Sequence, residues 1–290
     1  MGQRNKPFRY TVKIYGEGLT EWVYFDSLRT SSRFRFSLEP EIPDPSRSSY
    51  KANLKLIDKE LRKRPEARAD AIFLVLDTDT LVKDEKQYTD YQDVKRKYEK
   101  RGVAFIESHP CIELWFLYHM INKFQRTTYP TYQALYQQIK TVLPGYEKTE
   151  RYFKRNKTFR DCILNDSNRL AKAIGFGVLS CKRDRAESAN YTEVFRVVRF
   201  CRLLSKYTEI KSLLEERLRR EVEIIPKYTE DGATLQILHE GMECCKLTYE
   251  GNRLRGSVGD GQVYEVDDAL PLSLQTPFRE DLVTWFSDRD

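Results

Sequence analysis

An unbroken apolar run, AIFLVLDTD at residues 71–79, constrains the fold of this 290-residue chain more than any other stretch. A strand that is covered on one face alternates apolar and polar side chains, whereas a continuous apolar run predicts a strand covered on both faces. Strands of that kind belong to parallel sheets that carry helices on either side. We therefore expect the run to lie at the centre of an α/β sheet, and it ends in Asp77, Thr78 and Asp79.

Strand and helix patterns alternate along the first part of the chain. Strand patterns fall at residues 10–15, 34–42, 71–79 and 103–107, and helical spacing of apolar residues falls at 20–29, 50–64 and 85–101. Alternation of this kind is typical of βαβ units. The predicted fold class is therefore α/β, with a mostly parallel, Rossmann-like sheet.

The alternation of strand and helix patterns stops after residue 110. Helices are predicted at residues 111–121, 131–143, 158–174, 191–206 and 210–225, with an irregular basic stretch at 175–190 and a helix end at Pro226. Short strands are then predicted at 235–238, 246–249, 253–258 and 263–266, with a hairpin turn at 250–252 and a last helix from Thr276. We expect a core over 10–125, a helical extension over 126–225 and a small acidic α+β appendage, rich in strands, over 226–290.

Charge is distributed unevenly along the chain. Residues 1–205 carry 39 lysines and arginines against 26 acidic residues, a net +13, whereas residues 206–290 carry 11 against 18, a net −7. A basic body suits a polyanionic partner such as DNA or RNA, but a solvated lysine-rich surface gives the same count. The acidic end suits packing, regulation or protein binding.

Cysteine usage and hydropathy indicate the compartment. The six cysteines are scattered and form no CxxC pair, which favours reduced thiols in the cytoplasm and argues against a structural zinc site. No apolar run is long enough to span a bilayer, and no signal peptide precedes Tyr10. We therefore expect a cytoplasmic protein without a membrane partner, whose oligomeric state the sequence leaves open.

Acidic side chains follow several of the predicted strands. Glu17 lies between two glycines at the end of the first strand, Asp77 and Asp79 end the apolar strand, and the fourth strand leads into Glu113. Ligands of open α/β sheets bind outside the carboxyl ends of the strands. Two interpretations without a functional role stay open. Glu17 could point into water from a Gly-rich turn, and Asp77-Thr78-Asp79 could be an ordinary transition from a strand to a loop.

Carboxylates held this close repel one another unless a cation neutralises them. Oxygen ligands favour Mg²⁺ or Mn²⁺ over zinc or copper. Mg²⁺ completes its shell with water and substrate phosphates, so an acidic site in a basic body suits phosphodiester chemistry. Glu17, Asp77 and Asp79 are the predicted metal ligands.

Several stretches resemble RloB-like proteins. Residues 16–28, with Gly16-Glu17-Gly18-Leu19-Thr20-Glu21 and Tyr24-Phe25, are similar to the opening EGxTExxYFxxL of that family. Leu76-Asp77-Thr78-Asp79 is similar to its aspartate pair. Residues 108–119 resemble its SNPCFELWxLxH segment, and Tyr146-Glu147-Lys148 resembles a later Tyr-x-Lys feature. Taken in order, the likeness covers about residues 10–205.

The resemblance implies a Toprim core, since RloB-like proteins belong to the Toprim superfamily of primases, topoisomerases and defence nucleases. By this likeness Glu17 is a general acid/base or metal ligand, and Asp77 and Asp79 bind Mg²⁺. Glu21 and Glu113 match family carboxylates and are further catalytic candidates. The sequence departs from the family pattern at His109, where Asn is usual, and at Ile112, where an aromatic residue is usual.

Two further residues are candidates for contact with nucleic acid. His109 could transfer a proton beside the site or fill a loop before Pro110, and Lys148 could bind a phosphate or be solvated. His119 lies in an apolar helix and is predicted to be a core residue. The stretches 62–68 and 95–101 could follow a phosphate backbone or face solvent.

The sequence supports two leading hypotheses for function. The first is a Mg²⁺- or Mn²⁺-dependent nuclease in prokaryotic phage defence or a mobile element, a setting that only the family likeness implies. The second is a non-catalytic Toprim-like module that senses nucleic acid or a nucleotide and regulates a partner such as an ATPase. A nucleotidyl transferase is a third reading, although the chain is short for such an enzyme.

Overall fold

The structure is a computed structural model that describes residues 10–32, 37–43, 49–124, 128–181, 190–217, 222–229, 232–267 and 270–287. The chain divides into two compact units, Met1–Val194 and Phe195–Asp290. This division does not test the roles that we assign to the three predicted segments, which remain a prediction. The predicted strand at 34–42 lies partly outside the described residues.

A five-stranded sheet forms the centre of the first unit, with the strand order β2-β1-β3-β4-β5. Its strands are β1 Thr11–Gly16, β2 Ser37–Pro40, β3 Ala71–Asp77, β4 Val103–His109 and β5 Tyr191–Thr192. Strands β1 to β4 are mutually parallel, and β5 pairs antiparallel with β4. The mostly parallel α/β sheet predicted from the sequence is therefore confirmed.

Helices connect these strands and continue beyond β4. They are α1 Leu19–Ser32, α2 Tyr50–Leu61, α3 Glu85–Glu99, α4 Glu113–Met120, α5 Tyr132–Val142, α6 Glu150–Arg155, α7 Lys157–Phe159 and α8 Ser167–Cys181. Short 3-10 turns lie at Pro65–Ala67 and Leu81–Lys83, and a π-helical turn lies at Arg160–Leu164. Side-chain caps begin α2 and α3, where Ser49 and Asp84 each accept a backbone N–H.

Strand β3 is buried on both faces, as its apolar run predicts. Ile72, Leu74 and Leu76 belong to a core cluster that also holds Ile57 of α2 and Tyr91 of α3. The alternate residues of β3 are buried as well, because every residue from position 71 to 76 is shielded from solvent. The strand thus fixes the sheet in the middle of the unit.

The structure corrects several predicted boundaries in the first unit. Strand β3 ends at Asp77, because the chain turns there and the Thr78 carbonyl accepts N–H bonds from Leu81 and Val82. The predicted irregular stretch 175–190 is helical as far as Cys181, and residues 182–189 lie outside the described part. The start of the predicted helix 191–206 is strand β5, which completes the sheet beside β4.

The second unit contains one long helix and an antiparallel sheet. Helix α9 spans Val194–Arg217, where the sequence predicted two helices. The sheet has the order β10-β9-β8-β7-β6, and its strands are β6 Glu223–Thr229, β7 Gly232–His239, β8 Met242–Glu250, β9 Arg253–Val258 and β10 Val263–Val266. A 3-10 turn at Leu272–Leu274 and α10, Thr276–Ser287, follow. The predicted helix end at Pro226 is wrong, since this proline lies in β6, an edge strand where a missing N–H is tolerated.

Turn chemistry explains the hairpins of this sheet. Gly251, with a φ of 60°, connects β8 to β9 at the predicted turn, and Glu240 and Gly241, with φ of 50° and 78°, connect β7 to β8. Two-residue hairpin loops require positive φ at such positions because that backbone twist matches the twist of the strands. The four strands predicted at the end of the chain correspond to β7 through β10, and only β6 was missed.

Candidate functional site

The carboxyl ends of β1, β3 and β4 meet at one edge of the parallel sheet. In the register of the strands, Gly16 lies beside Val75, and Asp77 lies beside Ser108. Glu17, Asp77 and the segment after His109 therefore leave the sheet at the same edge, as the sequence predicted. This edge is where ligands of open α/β sheets bind.

The glycine turn after β1 holds Glu21 against the sheet. A Cβ atom on Gly16 would lie 2.6 Å from the Glu21 Cβ, and one on Gly18 would lie 3.1 Å from Glu21 Oε2. Asn53 of α2 donates to the Gly16 carbonyl over 2.9 Å and holds the turn from the other side. The two glycines therefore allow the buried Glu21 carboxylate to fold back over the turn.

Asp77 connects the end of β3 to the start of α4. Its Oδ1 accepts the backbone N–H of Ile112 over 2.8 Å. Burial raises the pKa of Asp77 well above its ordinary value, and the neighbouring carboxylates of Glu21 and Glu113 raise it further. The environment thus disfavours a negative charge on Asp77, and a cation bound among the three carboxylates would relieve their mutual repulsion.

Glu113 lies in the first turn of α4 and is fully buried, with 0 % of its surface exposed. Its Oε1 accepts the Tyr146 hydroxyl over 2.9 Å and lies 2.8 Å from Lys148 Nζ. Its Oε2 has no hydrogen-bond partner among the described residues. A buried carboxylate oxygen without a partner is costly, so this atom is available to a ligand.

Lys148 reaches the acidic group from the loop before α6. Its ammonium also lies 4.3 Å from the centre of the Tyr132 ring. The Glu113 carboxylate raises the pKa of Lys148 against the opposing effect of burial, so the lysine stays charged. Lys148 was predicted to contact phosphate, and the structure places it on a buried carboxylate at the site.

Cys111 completes a compact group that the sequence did not identify. Ligand atoms of Asp77, Cys111 and Glu113 all lie within 4.8 Å of one another, and among the described residues this is the group suited to a metal ion. Burial raises the pKa of the Cys111 thiol, and the Glu113 and Asp77 carboxylates add to the effect. The sequence feature that could have identified Cys111 is its position, two residues before Glu113 in the segment that follows β4.

Glu17 and Asp79 lie beside this group without joining it, as far as the described residues show. Burial raises the pKa of Glu17 to about 7, and Glu21 and Asp79 add to the rise. The strand predicted to run to Asp79 ends at Asp77, so Asp79 lies beyond β3. Asp79 instead lies 3.9 Å from Lys83 in the following turn.

His109 and His119 are both buried, and Nδ1 of each ring already lies against a hydrogen-bonding neighbour. Nδ1 of His109 lies 3.1 Å from the Thr78 hydroxyl, the ring stacks on Tyr191, and burial lowers its pKa. Nδ1 of His119 donates to the Trp115 carbonyl over 2.9 Å, and burial lowers the pKa of His119 to about 4. The predicted core position of His119 fits its full burial.

The basic stretches 62–68 and 95–101 differ in their distance from the carboxyl edge of the sheet. Stretch 62–68 directly precedes β3 and so lies at the amino edge of the sheet. A seven-residue strand such as β3 is about 20 Å long. Stretch 62–68 is therefore separated from the carboxyl edge by the length of a strand, whereas Lys95 Nζ lies 2.6 Å from Oε1 of Glu107, near the carboxyl end of β4.

Lys148 is the first residue of a further basic stretch of the chain. The basic segment, residues 148–160, carries six lysines and arginines and one acidic residue, Glu150. Its aromatic side chains Tyr152, Phe153 and Phe159 are buried, while its charged side chains are exposed. Glu150 pairs with Lys154, so the neighbouring arginines keep their charge available to a partner.

Two general properties bear on partners and compartment. Across the described ranges, no helix combines the length and apolar character needed to cross a bilayer. All six cysteines are free, as the scattered spacing predicted. The cytoplasmic location itself remains a prediction.

Comparisons with known proteins identify the family. No curated protein and no solved structure matches the chain. The model of a family described as RloB-like protein matches residues 12–216, which include the whole acidic site and the basic segment. The chain therefore belongs to the RloB-like protein family.

Proposed function

We propose that the protein is a metal-dependent nuclease that hydrolyses phosphodiester bonds of DNA or RNA. The observation that carries this proposal is the group of acids at the carboxyl edge of the parallel sheet, in which Glu21 and Glu113 are buried and Asp77 is half-buried. Buried carboxylates this close are stable together when a cation or protons neutralise them. An edge that binds cations and carries an adjacent basic surface suits a phosphodiester substrate.

The acids fit a divalent ion by their chemistry. Glu17, Asp77 and Asp79 would supply oxygen ligands to Mg²⁺ or Mn²⁺, which prefer them. When bound, the ion would polarise the scissile phosphate and stabilise the departing oxygen. Glu113 Oε2 supports this use of the site, since it has no hydrogen-bond partner among the described residues.

The remaining residues would handle protons and charge. As the alternative to its role as a metal ligand, Glu17, whose pKa is raised to about 7, can accept a proton from water near neutral pH, which suits a general base. Glu21 and Glu113 are the other catalytic candidates in this proposal. Lys148 holds a positive charge beside Glu113, where it can meet a phosphate oxygen or the leaving group. His109 remains a candidate contact for nucleic acid.

The proposal places this site on a Toprim core. The support is the order of features along the chain: a glycine turn with Glu17 after β1, Asp-Thr-Asp after β3, and Glu113 after β4. The family likeness also suggests phage defence or a mobile element as the setting, in the cytoplasm. The basic segment supports nucleic acid as the partner, through contacts to phosphate.

A cleavage assay tests this proposal. Single- and double-stranded DNA and RNA are incubated with the protein, with and without Mg²⁺ or Mn²⁺. Glu17→Gln and Asp77→Asn should each abolish metal-dependent cleavage while circular dichroism shows a preserved fold. Glu66→Gln, an exposed acid at the amino edge, is the matched control and should cleave like wild type. Full activity in both site variants would reject the assignment.

A non-catalytic sensing module is the second candidate. The observation that favours it is the acidic end of the chain, since residues 206–290 carry 11 basic against 18 acidic residues, which suits a protein partner such as an ATPase. A stable complex with a partner, together with nucleic-acid binding but no turnover under any metal, would select this candidate over the nuclease.

A further inference from the structure

We propose that Asp77, Cys111 and Glu113 form a mixed thiolate and carboxylate centre for a transition-metal dication of the Zn²⁺ and Co²⁺ type, in preference to Mg²⁺. The proposal deepens the proposed function and rests on it only for the view that this edge of the sheet holds a cation. It adds Cys111 as a ligand, and it changes the class of ion that the site selects.

The geometry brings the three ligand atoms to one point. The Asp77 carboxylate, the Cys111 sulfur and the Glu113 carboxylate lie within 4.8 Å of one another. Atoms bound to one tetrahedral ion at about 2.0–2.3 Å lie roughly 3.3–3.8 Å apart, so side-chain shifts of about 1 Å would close this group around an ion. Cys111 and Glu113 are held in place because the Ile112 N–H between them donates to Asp77.

The burial of these groups points to a ligand. Glu113 is fully buried, yet its Oε2 has no hydrogen-bond partner among the described residues. Cys111 is buried as well, with 2 % of its surface exposed. An orphaned carboxylate oxygen beside a thiol in a closed space is a coordination set in which a metal would satisfy both atoms.

The sulfur atom decides the class of ion. Mg²⁺ takes oxygen ligands in a nearly ideal octahedron, whereas Zn²⁺ accepts sulfur together with carboxylate oxygen in a tetrahedral site. Affinity also rises along the series from Mn²⁺ to Co²⁺ and remains high at Zn²⁺. Binding deprotonates the thiol, and the released proton passes to the buffer.

Lys148 provides an independent check on the location. Its ammonium lies 2.8 Å from Glu113 Oε1, so an ion bound through Glu113 shares that carboxylate with a second positive charge. Repulsion between the two cations weakens metal binding. Replacing Lys148 with Met should therefore strengthen binding at this centre and leave any distant site unchanged.

Titration with Co²⁺, in the absence of nucleic acid, tests the proposal. A thiolate bound to Co²⁺ gives a charge-transfer absorption in the near ultraviolet, which oxygen ligands alone do not give. We expect this absorption in wild type and in Cys162→Ser, the matched control, and its loss in Cys111→Ser. Asp77→Asn should keep the thiol and weaken Co²⁺ binding by at least about tenfold. Zn²⁺ should displace Co²⁺, and Mg²⁺ in large excess should not.

Other results would overturn the proposal. A wild-type titration without the absorption, or a Cys111→Ser variant that keeps it, excludes Cys111 as a ligand. If Cys111→Ser fails to fold, the titrations of Asp77→Asn and Lys148→Met test the proposed location. An unchanged Co²⁺ affinity in both variants would show that the ion binds elsewhere. Since no cleavage is measured, these failures leave a nuclease with Mg²⁺ on oxygen ligands standing.

Discussion

Lys148 Nζ lies 2.8 Å from Oε1 of Glu113, so a half-exposed lysine neutralises a carboxylate that solvent does not reach. The Tyr146 hydroxyl donates to the same oxygen. A buried carboxylate survives in its charged form only with such partners. The pair therefore contributes to stability as well as to the site, and the two contributions can be separated by mutation.

Replacing Lys148 with Met should destabilise the fold by about 1–3 kcal/mol, because Glu113 loses its charged partner while water already screens part of the lysine. Urea unfolding monitored by fluorescence measures the change. The double variant Lys148→Met, Glu113→Gln should recover a large part of the loss, since the buried side chain at position 113 then carries no charge. A double variant no more stable than Lys148→Met alone would contradict this account.

The pH dependence of stability should report Glu17. Burial raises its pKa to about 7 in the folded protein, above the ordinary value of 4.5, so the folded state binds the extra proton between these two values. Its stabilising contribution is complete below pH 4.5 and is lost as pH rises through 7. Glu17→Gln removes this dependence and should be more stable than wild type at about pH 8 by roughly 1–3 kcal/mol. Urea unfolding in EDTA at several pH values measures the difference in stability between Glu17→Gln and wild type. A difference that stays the same across that pH range would contradict this prediction.

The two glycines around Glu17 should differ in their tolerance of alanine. Gly16→Ala places a methyl group 2.6 Å from the Glu21 Cβ, which the helix backbone holds, so we expect a loss of about 1–3 kcal/mol. Gly18→Ala meets only the mobile end of Glu21, at 3.1 Å, and should change stability by less than about 1 kcal/mol. Thermal unfolding compares the two, and equal losses would show that the contact with the Glu21 Cβ is not the cause.

The basic segment should carry nucleic-acid binding. Arg151 and Arg155 are exposed on α6, close in sequence to Lys148. Reversing both charges should weaken binding at least about tenfold and reduce the slope of log affinity against log salt by about 2. Arg64→Glu, at the amino edge of the sheet, is the control and should bind within about twofold of wild type. Fluorescence anisotropy at several salt concentrations measures the affinity and its salt dependence. If Arg64→Glu weakens binding as much as the change at Arg151 and Arg155, nucleic acid is attracted to the whole basic surface.

The sequence predicted the sheet well because its signals are local. The apolar run of β3 and the glycine turn after β1 each determine one strand and its end, and parallel neighbours then bring Glu17 and Asp77 to a common edge. The predicted strand end at Asp79 was wrong, because the chain turns directly after Asp77. Strand β5 was missed because two residues carry no periodicity and form a strand only by pairing with β4.

The composition of the site was harder to predict than its location. Cys111 enters the site because the Ile112 N–H binds Asp77, a contact between residues 35 positions apart. Lys148 reaches Glu113 by a loop whose path no local pattern encodes. The family likeness named Glu113 and Lys148 as features, and the structure adds that they are partners.

The pairing of β5 with β4 has a consequence for how such a protein can change. Ser108 lies opposite Thr192 and His109 opposite Tyr191, so the stretch between them leaves the sheet and returns to it at one place. Segments whose ends lie side by side can be exchanged or lengthened with little effect on their host. The four parallel strands can therefore keep their order and register while the excursion that supplies Glu113 and Lys148 changes in length.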